Sequence, residues 1–93
     1  MSRIYKVFLE EGREIWRFSF PGAKVQVLSI QRQKGNLAAW LQFAPYSSFQ
    51  VPESSDIEIH RLGTGWSFDA DSLRFICTLQ DGDFVWHYYQ RDV

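Results

Sequence analysis

The sequence holds a single cysteine, Cys77, which leaves no partner for an internal disulfide and no cysteine-rich zinc site. Its two histidines, His60 and His87, are too few for a metal centre built on imidazoles. No apolar run approaches the roughly 18 residues that a membrane-crossing helix needs. The opening stretch "MSRIYKVFLEEGREIW" has no long apolar segment of the kind that makes a signal peptide, so a cytoplasmic location is expected. Charge of one sign is also missing: 10 basic residues face 11 acidic ones, for a net charge of −1. That balance argues against a protein that lives on phosphate contacts, since nucleic-acid binders usually carry a basic excess. Helical periodicity, internal repeats and low-complexity tracts are absent as well.

What is present is aromatic residues, at 17% of a 93-residue chain. Large rings bury much surface per residue, which suits a small domain short of core volume. The length predicts one domain over residues 1–93. Apolar and polar residues alternate with a period of two nearly throughout, the mark of half-buried strands. Strands are expected at 3–10 and 14–20, joined as a hairpin through Glu11-Gly12, and as a second hairpin within 24–45 turning at Lys34-Gly35. A switch of facing near Val27-Leu28 suggests a bulge. Residues 45–56 read as a surface loop, with a short strand at Phe49–Val51. Further strands are expected at 57–62, 74–79 and 83–90, with one helical turn at 69–73 capped by Asp69 and a hairpin through Asp81-Gly82. The fold class is therefore all-β: a small antiparallel sandwich or barrel of six to seven strands with at most one helical turn.

Chemistry has few places to sit. In "DFVWHYYQ", Phe84, Trp86 and Tyr88 share one strand face, and Val85, His87 and Tyr89 the other. One set fills a core while the other packs against the long loop or a partner, or else Trp86 and Tyr88, or His87 and Tyr89, form an exposed stacking surface. His87 as a general base lacks a nucleophile tied to it by any motif; a half-exposed strand histidine is the plainer reading. The stretch Gly63-Thr64-Gly65-Trp66 could bring backbone amides to an anion. It lacks the spacing of dinucleotide or phosphate loops, and a turn needing positive φ and close approach explains it equally. A ligand site, if present, is expected at this loop, with Arg61, Thr64, Trp66 and Arg74 supplying cation, hydroxyl and ring. Asp69, Asp71, Asp81 and Asp83 read as cap and turn residues rather than a calcium loop. Arg13, Arg17, Arg32 and Lys34 read as solvated strand faces or as a basic rim at two hairpin tips. Cys77, between Phe75 and Leu79 on an apolar face, is expected to be a buried, inert thiol. No metal and no cofactor is expected.

Leu28–Gln31, Gly35, Leu37, Trp40, Gly63–Gly65 and Val85–His87 together resemble a family of small bacteriophage and prophage proteins known as a domain of unknown function. The resemblance covers about residues 15–90; the added "VQ" around Gln26 and a serine-rich insertion before Asp56 depart from it. It implies a phage-borne accessory protein in the host cytoplasm, a setting in which genes often act against host defences. The expected function is non-enzymatic binding of a host protein or of a second copy, at Trp86, His87, Tyr88 and Tyr89. The alternative is capture of a small anionic or nucleotide-like molecule at the Gly-Thr-Gly loop.

Overall fold

A computed structural model describes residues 1–45 and 55–93. Seven strands run in chain order: β1 Arg3–Phe8, β2 Ile15–Phe20, β3 Ala23–Gln33, β4 Asn36–Pro45, β5 Ser55–Gly63, β6 Leu73–Asp81 and β7 Phe84–Asp92. They form two antiparallel sheets, ordered β1-β4-β3 and β2-β5-β7-β6. The inner faces meet in one cluster that includes Trp16, Val25, Val27, Ile30, Leu41, Ile57, Ile59 and Tyr88. The all-β sandwich expected from the alternation is thus observed, with no helix among the described residues. The expected strand at Phe49–Val51 lies outside those residues.

Turn chemistry sets the hairpins. Lys34 and Gly35 both take positive φ, at 51° and 83°, as the two-residue turn between β3 and β4 requires. Gly82 takes φ 61° at the head of the β6–β7 turn, where a glycine at the first turn position matches the twist of the strands. Two bulges re-aim side chains. The β3–β4 register slips between Val27 and Ser29, so Val25, Val27 and Ile30 all face inward. The β6–β7 register slips between Phe75 and Cys77, which turns Phe75 outward and leaves Cys77 and Leu79 inward. Phe75 and Cys77 therefore do not share a face, contrary to strict alternation.

The β1–β2 hairpin does not form. Strand β1 pairs with β4, and β2 pairs with β5 in the other sheet. Leu9, just past β1, enters the core, its amide donating to the Leu37 carbonyl at 2.9 Å. The Trp16 indole N–H donates to the Glu10 carbonyl at 2.8 Å and fixes the crossing chain. Burying Leu9 and Trp16 at this corner outweighs the local turn signal of Glu11-Gly12. The helical turn expected at 69–73 is also absent; Asp69 accepts from the Asp71 amide at 2.9 Å, an Asx turn that caps no helix.

Candidate binding platform

Strand β7 carries rings on both faces, and the sandwich treats them differently. Tyr88 is fully buried and packs beside Trp16, with ring centres 6.3 Å apart. Burial pushes its phenol up to about 12, so it stays protonated at neutral pH. Its hydroxyl makes no hydrogen bond among the described residues. Two residues back, Trp86 sits at the end of the core, half-buried. Phe84 stacks on it at 5.6 Å and is 63% exposed. Trp66 meets its edge at 5.8 Å and is 44% exposed.

Arg61 completes this cluster. It stands opposite Tyr88 in the β5–β7 register, and its guanidinium carbon lies 4.1 Å from the centre of the Trp86 ring. A cation on an indole face is a favourable contact, the more so when partly desolvated. Arg61 makes no ion pair among the described residues, and its buried Nε has no acceptor. Its neighbour Arg32 is neutralised by Glu11 and by Asp81, whose carboxylate lies 2.7 Å away. The Arg32 hydrogen bond holds Asp81 below the usual carboxylate range.

The Gly63–Trp66 turn builds one wall. The Trp66 amide bonds the Gly63 carbonyl at 3.1 Å, and Gly65 takes φ 88°. Gly63 needs no positive φ. It is glycine because a Cβ there would sit 2.6 Å from the Trp66 ring. The positive φ expected of this loop thus belongs to Gly65, and the close approach to Gly63.

On the outer face, both ring nitrogens of His87 are engaged: Nε2 with the Thr64 hydroxyl at 2.8 Å and Nδ1 with the Thr78 hydroxyl at 2.9 Å. A histidine held between two hydroxyls is a clamp on the 64–66 turn. Tyr89 lies between Phe68 at 5.3 Å and Phe75 at 5.5 Å. This second ring cluster faces away from the Trp86 platform. Arg74 joins neither; it stands at the opposite end of the sheet, paired with Asp92 at 3.0 Å beside a cleft of about 530 Å³. Of the residues expected to act together, the fold gathers Arg61, Trp66 and Trp86, sets Thr64, His87 and Tyr89 behind them, buries Tyr88 and removes Arg74. The sequence reading missed Phe84 as a platform member, although it falls in the same two-residue period as Trp86.

Arg13 pairs with Glu10 at 2.9 Å and Arg17 with Asp56 at 3.1 Å, so these and Arg32 are paired surface residues rather than a free basic rim. Cys77 is half-buried, its thiol 3.7 Å from the Ile30 carbonyl and pushed up by burial, which makes it a poor nucleophile. Among the described residues no His, Cys, Asp or Glu cluster could hold a metal ion, and no helix is long and apolar enough to cross a membrane. No curated protein and no solved structure matches the chain. One family model does match, over residues 1–93, and the chain belongs to that family, described as Domain of unknown function (DUF7352).

Proposed function

We propose that this chain is a non-enzymatic binding protein whose contact surface is the Phe84–Trp86–Trp66 platform with Arg61 at its centre. The single observation behind this reading is the cluster itself: three large rings, two of them exposed, around a cation that forms no ion pair among the described residues. Aromatic residues and arginine are the residue types that carry most binding energy at protein interfaces. The partner is a protein of the host cell, met in its cytoplasm, and the chain is a phage-type accessory factor. Inhibition of a host defence system is the specific form of that role. The outer-face residues His87 and Tyr89 are then support for the platform and not contact residues.

The test is affinity capture of host proteins with the wild-type chain, Trp66→Ala, Arg61→Gln and Arg74→Gln. A protein retained by wild type and Arg74→Gln and lost with the other two supports the platform. Equal retention by all four removes it as the contact surface.

A second reading has its own support. Among the described residues Arg61 Nε is a buried donor without an acceptor, and the hydroxyl of Tyr88, opposite it in the β5–β7 register, is likewise unpaired. The Arg61 guanidinium, stacked on Trp86 beside two exposed rings, suits a small anionic ligand. Thermal stabilisation by adenosine monophosphate or by inorganic phosphate, lost in Arg61→Gln, is the outcome this reading requires; at about 100 times Kd the gain is about 2.7 kcal/mol. No shift with either probe at that excess eliminates it.

A further inference from the structure

Strand β1 is the most exposed of the seven described strands. Among the described residues it pairs with β4 alone, and every one of its six residues except Val7 is exposed. Ile4 is 60% and Phe8 58% exposed. The unpaired backbone of an edge strand is a template for another strand, and of the six residues of β1 only Arg3 and Lys6 are charged.

The direction of its free backbone groups follows from one bond. Leu9 and Leu37 continue the β1–β4 register, and the Leu9 amide donates to the Leu37 carbonyl at 2.9 Å. In an antiparallel ladder such bonded pairs alternate with non-bonded ones. Arg3, Tyr5 and Val7 therefore spend their amides and carbonyls on β4. Ile4, Lys6 and Phe8 turn theirs to the open edge.

We propose that β1 pairs antiparallel with β1 of a second copy, about a two-fold axis through Tyr5, joining two three-stranded sheets into one of six strands. Side-chain facing requires that the axis pass through a residue, since only then do opposed side chains lie on the same face. Centred on Lys6, the pairing sets two ammonium groups against each other. Centred on Tyr5, it places Tyr5 against its own copy, Lys6 against Ile4, and Arg3 against Val7. No like charges meet, and aromatic and apolar side chains face one another. Ile4 and Lys6 exchange amide–carbonyl bonds with Lys6 and Ile4 of the second copy, four in all. The Tyr5 pair is non-bonded, the closer kind, and its rings are braced by Phe43, 5.4 Å from Tyr5 on the inner side. Only the Tyr5- and Lys6-centred registers pair five residues of each β1, and Lys6 facing its own copy opposes the second while leaving the first open. A single pair of short strands is a small interface, so the dimer is reversible.

Sedimentation equilibrium from about 10 μM to about 1 mM, the range of a weak complex, reads the association. The expected mass rises from one chain to two; a constant single-chain mass overturns the proposal. Cysteine cross-linking reads the register, in a Cys77→Ser background. Tyr5→Cys is expected to form an intermolecular disulfide under mild oxidation, because the paired Cβ atoms lie about 4.5–5.5 Å apart. Ile4→Cys faces Lys6 and is expected to cross-link at least tenfold more slowly. Equal rates, or the reverse order, overturn the proposal. Lys6→Pro removes an outward amide while leaving every β1–β4 bond in place, so it abolishes the dimer with an unchanged circular dichroism spectrum. A Lys6→Pro chain that still dimerises also overturns it.

Discussion

Single polar atoms decide much of the interior. Tyr88 contributes a fully buried ring to the core but a hydroxyl that finds no partner among the described residues. A buried polar group that makes no hydrogen bond costs free energy, so removing it is harmless or helpful. Tyr88→Phe is therefore expected to leave stability unchanged or raise it by up to about 1 kcal/mol, measured by urea unfolding near neutral pH. A loss of more than about 1 kcal/mol would mean that the hydroxyl is satisfied in solution. The same residue sets an alkaline limit. Its folded-state pKa, about 12, lies above the ordinary tyrosine value of about 10. The folded chain thus holds this proton more tightly than the unfolded one. Stability from this source is complete below about pH 10 and falls as pH rises towards about 12. Tyr88→Phe is expected to show a shallower decline over that window, and identical slopes in the two chains would sink the assignment.

At the scale of elements, the open edge of β3 is closed by a side chain. Gln90 of β7 is 2% exposed. Its carbonyl accepts from the Val27 amide at 2.7 Å, and its amide donates to the Val25 carbonyl at 2.8 Å. Gln90 thus stands in for a neighbouring strand, beside the bulge that starts after Val27. Gln90→Leu strands a buried N–H and a buried C=O, for an expected loss of about 2–4 kcal/mol in denaturant unfolding. A loss under about 1 kcal/mol would show that water satisfies both groups. Gln90 also marks what the sequence hides. The period-two rhythm reveals strands, and Lys34-Gly35 and Gly82 announce their turns, because those signals are local. The bulge near Val27 is visible for the same reason: the inward set shifts from odd to even positions. Which edges meet is not local. Nothing in Glu11-Gly12 says that Leu9 and Trp16 will bury and carry the chain to the other sheet. The platform was half legible, since Trp66, Arg61 and Trp86 could be named but not assembled. Arg74 offers the right chemistry, a cation for that loop, but stands at the far end of β6 on Asp92, and residue type alone does not reveal position.

The whole molecule bears on a third class of partner, single-stranded nucleic acid bound to a β-surface with stacking rings. Exposed Phe84 and Trp66 could stack bases, and each such contact is typically worth about 1–3 kcal/mol. Stacking alone does not hold a polyanion; the backbone phosphates need cations, and affinity then falls steeply with salt. Here five of the arginines are held in ion pairs. Arg13 is on Glu10, Arg17 on Asp56, Arg32 on Glu11 and Asp81, Arg74 on Asp92, and Arg91 lies 3.6 Å from Glu58. Lys6 is bonded to Gln33. Arg61 is one cation beside the rings, and a single phosphate contact gives a salt slope of only about −0.7 for a single strand. The chain is accordingly expected to pass through a heparin column at physiological ionic strength. Fluorescence anisotropy with a labelled single-stranded oligonucleotide is expected to show no binding at micromolar protein. Binding with a slope near −3 or steeper, equivalent to four or more phosphates, would require these ion pairs to open toward the strand. That result would replace a protein partner with a nucleic-acid one at the same platform.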